Sequence, residues 1–318
     1  MIAVGVDGGA TTTRLLALLP DGELIGTIGP GVSPEFFGPE ATAEEIARLA
    51  RRLALPEDSP VAAAFCLAGV DTDEEAKAVA AALKAALPGW EGHLFNDMAA
   101  ALTAGAPEQG PAVVIASGTG ANAGARRPDG TFCSLRAKGY AQGNFGGGYD
   151  IVREALHAAF RADEQTGPES GLKPAVLALT GEPTYDQLSQ RISENENYIL
   201  SLIGRLPPLV VELAAAGDQV AGEILARVGR SLAWLGRGAA VQAGLDPAHL
   251  SAVVLAGGVA AARSPALEEP FRRELGQLFP MAELRPLTRE PVRGALWLAA
   301  SASAPKDILD REVSWRSA

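Results

Sequence analysis

Two similar turn segments about 110 residues apart constrain the fold of this chain more than any other feature. Residues 7–13 have the sequence DGGATTT after the apolar run 2–6, and residues 117–122 have the sequence SGTGAN after the apolar run 113–116. Each run predicts a strand that enters a Gly/Thr-rich turn and is followed by a second strand. One such turn alone is usually an ordinary hairpin. Two in equivalent positions predict a duplicated fold whose turns face a shared cleft.

The rest of the pattern predicts an α/β protein in which strands and helices repeat. We expect strands at 2–6, 14–19, 23–28, 61–67 and up to Phe95, with helices at 40–54, 72–87 and 98–104. The second repeat has expected strands at 112–117, 121–126, 131–136, 251–256 and 282–286, and helices at 149–163, 171–180, 184–192, 194–215, 217–243 and 264–279. We expect domains at 1–110 and 111–289, a last helix at about 290–303, and a loosely held tail at 304–318.

Composition restricts the partners. The net charge of −11 over 318 residues opposes binding to nucleic acid or anionic lipid. No run reaches the about 18 apolar residues of a membrane span, and no signal peptide is recognisable, so we expect a cytoplasmic protein. Cys66 and Cys133 lie in or beside apolar runs without metal-ligand spacing, which predicts buried thiols and no disulfide or iron–sulfur site.

The two turns have the chemistry of a polyphosphate site. Glycine permits close backbone approach, and successive N–H groups form an anion nest. Neither turn is a dinucleotide fingerprint, because the third glycine is missing, and neither is a P-loop, because no Gly-Lys-Ser/Thr occurs. The predicted phosphate-binding residues are Gly8, Gly9, Ala10, Thr11, Thr12, Thr13, Ser117, Gly118, Thr119, Gly120 and Asn122.

Three further positions fit the same chemistry, and each has a structural alternative. Asp7 can hold Mg²⁺, through water, or can stabilise the turn. Asp97 can be a helix N-cap, a general base that takes a proton from a substrate hydroxyl attacking the γ-phosphate, or both. The turn at Gly257, Gly258 and Val259 can lie against an adenosine, or can simply connect a strand to a helix.

These motifs resemble those of the actin/hexokinase/Hsp70 superfamily. Residues 7–13 are similar to its first phosphate motif, 117–122 to its second, and 255–259 to its adenosine motif. In detail the chain is most similar to the N-acetylglucosamine kinase branch, which is grouped with the BadF/BadG/BcrA/BcrD ATPases. Residues 66–71 (CLAGVD) and 95–101 (FNDMAAA) match that branch in order and spacing.

The resemblance implies two RNase H-like domains, each a mixed sheet flanked by helices, with ATP and Mg²⁺ in the cleft between them. It implies Asp97 as catalytic base, cleft closure on sugar binding, a last helix that packs back on the N-terminal domain, and a homodimer. The implied activity is phosphoryl transfer from ATP to a hexose or amino sugar, first of all N-acetylglucosamine or glucosamine. The implied sugar-contact positions are Ser33, Gly69, Asp97, Gly118, Gln142 and Asn144.

The segments implied to contact the sugar acceptor depart from the family pattern. The family usually has a Gly-Asp-Glu-Gly-Ser-Gly motif before a helix, whereas residues 139–151 here have the sequence GYAQGNFGGGYDI, about two residues shorter. Asn144 and Phe145 replace the acidic pair, and residues 31–35 (GVSPE) lack the usual Asn. Two alternatives therefore stay open: an ATPase that acts on a protein partner, and a non-catalytic ATP-binding sensor. The cysteine pattern disfavours the dehydratase-activating form of the first.

Overall fold

The computed structural model describes residues 1–56, 59–108, 110–195, 197–300 and 307–316. Its strands are β1 (Ile2–Gly8), β2 (Thr12–Leu18), β3 (Leu24–Pro30), β4 (Val61–Leu67), β5 (Trp90–Asn96), β6 (Ala112–Ser117), β7 (Ala121–Arg126), β8 (Phe132–Ser134), β9 (Ala252–Ala256), β10 (Glu283–Pro286) and β11 (Ser314–Arg316). Its helices are α1 (Pro34–Phe37), α2 (Pro39–Arg52), α3 (Asp73–Ala86), α4 (Asp97–Gly105), α5 (Gly148–Asp163), α6 (Leu172–Thr180), α7 (Tyr185–Glu194), α8 (Tyr198–Ser201), α9 (Leu206–Ala215), α10 (Gln219–Gln242), α11 (Gly258–Ala261), α12 (Pro265–Leu278) and α13 (Pro291–Ala300). Short 3₁₀ helices lie at Tyr140–Gln142 and Pro247–His249.

The described strands form two sheets with the same internal order. The first sheet has the order β3-β2-β1-β4-β5, with β11 added beyond β3, and the second has the order β8-β7-β6-β9-β10. In each, three strands form an antiparallel meander, and the next two are parallel to the first strand of that meander. The predicted α/β class and the internal duplication are confirmed.

Helices and sheets alternate in layers through the molecule. α2 and α3 cover one face of the first sheet, and α13 covers the other. α4 contacts α13 and also packs against β6, β7 and β9, so α4 and α13 lie between the two sheets. α5, α9, α10 and α12 cover the far side of the second sheet. The arrangement places the first residue of α4 where the two halves of the molecule meet.

Two glycines allow unusually close packing around α13. A Cβ on Gly5 of β1 would lie 2.1 Å from the backbone nitrogen of Leu296, and a Cβ on Gly294 would lie 2.0 Å from the carbonyl oxygen of Ala100. Backbone atoms cannot move aside as a side chain can, so both positions require glycine. α13 therefore contacts β1 and α4 directly. The domain boundaries expected near residues 110 and 289 stay predictions.

Two expectations about secondary structure are wrong. The helix expected over 194–215 is interrupted: α8 ends at Ser201 and α9 begins at Leu206. Pro207 and Pro208 follow, and proline suits the first turn of a helix but not its interior. The tail is not loosely held over 307–316, because Ile308 and Leu309 are buried and β11 pairs with β3. The expected tail residues 304–306 and 317–318 lie outside the described residues.

The described helices include none that is long and apolar enough to cross a lipid bilayer. The longest of them, α10, is amphipathic and packs its buried face against the second sheet and α12.

Candidate active site

Three aspartates lie at one edge of the first sheet. Asp7 is near the end of β1, Asp71 follows β4, and Asp97 follows β5. These three strands are parallel neighbours in matched register, with Asp7 opposite Cys66 and Cys66 opposite Phe95. Their carboxyl ends therefore coincide at the edge where α/β sheets bind ligands. The charges of Asp7 and Asp71 both raise the pKa of Asp97, as expected for carboxylates that lie close together.

Asp97 is the first residue of α4 and is not its N-cap. Asn96 caps the helix, because its Oδ1 accepts a hydrogen bond from the backbone N–H of Met98 at 3.0 Å. The interpretation of Asp97 as the N-cap is therefore wrong. Burial, reinforced by the charges of Asp7 and Asp71, raises the pKa of Asp97 from 3.8 to about 7. A carboxylate with a pKa near neutrality is suited to accept a proton in a reaction.

Asp7 is a partly buried carboxylate with mixed electrostatic neighbours. Burial raises its pKa from 3.8 to about 6, Arg14 lowers it, and Glu290 raises it. Arg14 lies opposite Asp7 on β2, and its Nε is 3.3 Å from Oε1 of Glu290, so its charge is shared between two carboxylates. Within the described residues, no group of three or more His, Cys, Asp and Glu side chains is placed to hold a metal ion. Asp7 therefore offers a carboxylate whose charge Arg14 balances only in part.

The first Gly/Thr-rich turn is closed and supported from behind. The N–H of Gly9 donates to the carbonyl of Thr12 at 3.0 Å, and the N–H of Val32 donates to the carbonyl of Gly9 at 3.1 Å. A Cβ on Gly31 would lie 2.1 Å from the carbonyl oxygen of Ala10. The loop after β3 therefore packs directly on this turn.

The side chains predicted to bind phosphate from this turn are unequally placed. Thr11 is exposed and Thr12 is half-buried, so both hydroxyls are near the surface. Thr13 is fully buried, and its Oγ1 has no hydrogen-bond partner among the described residues. Thr11 and Thr12 are therefore better placed than Thr13 to reach a ligand.

The second turn is held by the start of α5. The N–H of Gly148 donates to the carbonyl of Gly118 at 2.8 Å, and that of Tyr149 donates to the carbonyl of Thr119 at 3.0 Å. Ser117 Oγ donates to the carbonyl of Gly146 at 2.6 Å, so this hydroxyl supports the loop. Cβ atoms on Gly118 or Gly120 would meet nothing within 4 Å, which leaves open space above the turn.

Asn122 lies on the face of β7 that is turned toward α4. Gly124 is two residues further along the strand and so on the same face, and a Cβ there would lie 3.2 Å from Cβ of Met98. The Oδ1 of Asn122 accepts from the backbone N–H of Ala123 at 2.7 Å. The second half of the site is thus brought toward the helix that begins with Asp97.

The predicted adenosine turn packs on the second Gly/Thr-rich turn. Gly257 has φ of 97°, and a Cβ on it would lie 2.2 Å from the carbonyl oxygen of Ser117. Beside these turns is a cavity of about 480 Å³, a size typical of small-ligand sites. Its wall includes Gly118, Thr119, Gly148, Gly258, Val259, Ile203, Pro207, Pro208 and Val211.

The side of this cavity formed by Ile203 and α9 was not predicted. A continuous helix over 194–215 would have had no gap at this place. The sequence signal that could have revealed it is Gly204 followed by Pro207 and Pro208, because a glycine and two prolines favour an interruption and a new helix start.

The predicted sugar-contact residues lie on loops from both halves. Ser33 is buried next to Gly69, where a Cβ would lie 2.7 Å from Ser33 Oγ; Gly69 has φ of 78°. On the other half, Gln142 is exposed and Asn144 is buried. The two loops meet, because Nζ of Lys138 is 3.8 Å from Oε1 of Glu35.

Phe145 packs toward α10. The guanidinium of Arg227 lies 4.6 Å from the centre of its ring, and Ser231 Oγ donates to its carbonyl oxygen at 2.7 Å. Asp150 supports the same loop, since its Oδ2 accepts from the N–H groups of Gly146 and Gly147 at 2.8 and 3.1 Å. Phe145, which replaces the Glu of the family pattern, therefore contributes packing here and no carboxylate.

Comparison with known proteins finds one matching family and relatives that are sugar kinases. The model of the BadF/BadG/BcrA/BcrD ATPase family matches residues 4–299. An N-acetyl-D-glucosamine kinase of Dictyostelium discoideum is 25% identical, over 94% of this chain and 97% of the relative. An N-acetylmuramic acid/N-acetylglucosamine kinase of Clostridium acetobutylicum is also 25% identical, over 94% of this chain and 98% of the relative.

Solved structures share the fold. A candidate N-acetylglucosamine kinase from Chromobacterium violaceum superimposes with a TM-score of 0.70 at 24% identity, covering 94% of this chain and 98% of that one. A ROK family glucokinase from Streptomyces griseus, solved with glucose and AMPPNP, superimposes with a TM-score of 0.57 at 16% identity over 94% and 98% of the chains. At these identities the likeness establishes the fold alone.

Proposed function

The chain belongs to the BadF/BadG/BcrA/BcrD ATPase family, and on this premise we propose that it is an ATP-dependent kinase acting on a hydroxyl of a hexose or amino sugar. N-acetylglucosamine or glucosamine is the proposed acceptor, because both curated relatives named above are N-acetylglucosamine kinases. The observation that carries the proposal is Asp97, whose pKa is raised to about 7 at the edge of the sheet that also carries Asp7 and the first turn.

We assign the nucleotide to the two turns and the adjoining cavity. The phosphates are assigned to residues 8–13 and 117–122. In the second turn Gly118 and Gly120 leave open space for close backbone approach. The adenosine is assigned to the cavity of about 480 Å³, which Gly258, Val259 and Pro207 line. Binding there would place the γ-phosphate toward α4, because the second turn belongs to the strand pair that faces this helix.

The residues around Asp7 fit Mg²⁺. A partly buried carboxylate whose pKa is raised to about 6 gains from a nearby cation, and Arg14 supplies only a shared positive charge. When bound with ATP, Mg²⁺ would neutralise charge on the phosphate oxygens. Asp7 would hold and orient it through water, since Mg²⁺ keeps much of its hydration shell.

Asp97 is assigned as the general base. Its carboxylate would accept the proton of the acceptor hydroxyl while that oxygen forms a bond to the γ-phosphorus and the bond to the bridging oxygen of ADP breaks. Ser33 and Gly69 from one half, and Gln142 and Asn144 from the other, would orient the acceptor. Backbone amides of the turns would stabilise the negative charge that develops on the transferred group.

Replacing Asp7 by Ala is expected to weaken Mg-ATP binding about 10–100-fold, the scale on which loss of an outer-sphere metal partner reduces affinity. The measurement is calorimetric titration with ATP in the presence of Mg²⁺. Titration with ATP and EDTA is the control, and the variant should then match the wild type. An unchanged affinity for Mg-ATP would remove Asp7 from the metal site.

The pH profile of kcat/KM is expected to rise as pH increases through about 7 and to level off above it. Asp97 must be deprotonated to act as a base, and its pKa in the free protein is raised to about 7 by burial and by Asp7 and Asp71. The profile is measured between pH 5.5 and 9, in steps of about 0.5 pH, with both substrates below saturation. A flat profile across pH 6–8 would contradict the assigned role.

ADP release with Mg-ATP across a panel of hexoses and amino sugars tests the proposed function. Stimulation by one sugar supports a kinase. Equal release with and without every sugar would instead favour the ATPase alternative, and ATP binding without release would favour the sensor. We further propose a cytoplasmic homodimer. The net charge of −11 supports the proposed absence of nucleic-acid and membrane partners.

A further inference from the structure

Lys138 extends from the second half of the molecule to three carboxylates of the first half. It follows β8 and precedes the 3₁₀ helix at Tyr140–Gln142. Its Nζ lies 2.8 Å from Oε1 of Glu75, 3.5 Å from Oδ2 of Asp71 and 3.8 Å from Oε1 of Glu35. One cation thus connects elements from both sides of the proposed cleft.

Part of this ion cluster is shielded from water. The shielding is strongest between Asp71 and Lys138, whose side chains are 5% and 18% exposed. Glu75 and Glu35 lie nearer the surface, with side chains 33% and 48% exposed. Partly buried charges are screened less than surface charges, so removing one partner has a larger effect than at the surface. Without Lys138 the three carboxylates would repel one another.

The first half presents a prearranged acceptor to Lys138. Oε2 of Glu75 accepts from the backbone N–H groups of Asp71 and Thr72, both at 3.0 Å, and completes a capping box at the start of α3. The other oxygen, Oε1, is the one that Lys138 contacts. Glu75 is therefore held in place by the fold, and Lys138 meets a fixed partner.

A continuous set of contacts leads from Lys138 to the start of α4. Oδ2 of Asp71 faces Lys138, and Oδ1 of Asp71 accepts from Nδ2 of Asn96 at 2.8 Å. Asn96 also donates to the carbonyl of Val70 at 3.2 Å and caps α4 at Met98. Asp97 is the next residue after Asn96, so its backbone is fixed by the side chain that Asp71 holds.

We propose that Lys138 is a positioning residue that holds the two halves in their closed arrangement and, through Asp71 and Asn96, sets the placement of Asp97. The catalytic consequence rests on the proposed function, whereas the connection between the halves does not. The cation and its carboxylate partners lie on opposite halves, so opening of the cleft separates them. Closure restores the contacts and brings Asp97 into place opposite the second turn.

Hydrogen exchange measured by mass spectrometry tests the structural part. Lys138→Met should increase exchange at least about tenfold in peptides that contain residues 71–76 and 96–98, because local opening exposes these amides. Peptides from β1 and β2 should be unchanged. Lys138→Arg keeps the charge and should exchange like the wild type. Lys173→Met is the matched control, since Lys173 belongs to the second half and forms a surface ion pair with Asp163 at 3.5 Å.

Kinetics tests the catalytic part. In Lys138→Met, kcat should fall about 10²-fold, the effect of misplacing a reacting group by about 1 Å, with Mg-ATP affinity unchanged. Lys138→Arg should recover most of this loss. Glu75→Gln keeps an oxygen for the capping box but removes the charge. It should lower kcat in the wild type and should lower kcat much less when Lys138→Met is already present.

The outcomes separate the two proposals. If the wild type phosphorylates no sugar, the proposed function fails, while exchange still decides whether Lys138 connects the halves. Unchanged exchange in Lys138→Met overturns the positioning role even if the protein is a kinase. Increased exchange with wild-type kcat overturns the effect on Asp97.

Discussion

Replacing Asp97 by Asn is expected to lower turnover about 10²–10⁴-fold, the scale on which loss of a general base reduces rate. The substitution keeps the size of the side chain and removes its ability to accept the proton. Mg-ATP affinity should be nearly unchanged, because Asp97 is assigned to the acceptor and Asp7 to the metal. The measurement is steady-state kinetics with the best acceptor, together with titration of Mg-ATP.

The stability of the Asp97→Asn variant shows whether a loss of turnover could come from misfolding. The pKa of Asp97 is raised in the folded protein from 3.8 to about 7. The favourable contribution of the protonated form is therefore fully present below pH 3.8 and is lost as pH rises through about 7. The amide introduced by Asp97→Asn cannot ionise, so at pH 8 the variant should be at least as stable as the wild type. A correctly folded variant with wild-type turnover would refute the assignment of Asp97 as base.

Replacing Gly257 by Ala is expected to weaken nucleotide binding at least about tenfold and to lower the free energy of unfolding by about 1–3 kcal/mol, the usual cost of overpacking and backbone strain. Gly257 has φ of 97°, and the new Cβ would lie 2.2 Å from the carbonyl oxygen and 2.8 Å from the backbone nitrogen of Ser117. Because both atoms belong to the backbone of β6, the turn after β9 must move away from the second Gly/Thr-rich turn.

The neighbouring glycine provides the control for the stability measurement. A Cβ on Gly258 would meet nothing within 4 Å, and its φ is not in the left-handed region. Gly258→Ala should therefore unfold at the same denaturant concentration as the wild type. Equal stability and equal nucleotide affinity in Gly257→Ala and the wild type would show that the two turns are not held together as described.

The parts of the site built from local sequence were predictable. β1 and β6 end in glycine-rich turns, and both apolar runs and turn residues are local signals. The predicted cap of α4, Asp97, was one residue too late, although Asn96 is an equally good capping residue. Only the geometry assigns the cap to Asn96 and leaves the carboxylate of Asp97 available.

Contacts between distant residues were not predictable from this single sequence. Lys138 and Glu75 are 63 positions apart, and a lysine between two predicted elements gives no local sign of its partner. The strand β11 was equally unpredictable. Its Trp315 is exposed and the strand is too short to show a periodic pattern, yet β11 pairs with β3. Both depend on the assembled fold.

The altered acceptor loop was visible in the sequence, but its consequence was not. The family pattern has an acidic pair at the positions where this chain has Asn144 and Phe145. In the structure Phe145 packs beside Arg227 and its carbonyl accepts a hydrogen bond from Ser231. Asn144 is buried, and its backbone N–H donates to the carbonyl of Gly139, the residue after Lys138. We expect the amide of Asn144 to orient a sugar hydroxyl, and turnover with different acceptors tests this expectation.

The central claim, phosphoryl transfer to a sugar, is tested most directly by mass spectrometry of the acceptor after incubation with Mg-ATP. N-acetylglucosamine and glucosamine are incubated with the wild type and with Asp97→Asn. A sugar carrying one added phosphate, formed by the wild type and reduced about 10²-fold or more in the variant, is the predicted result. ATP bound or hydrolysed without any phosphorylated sugar, for these and the other sugars of the panel, would contradict it.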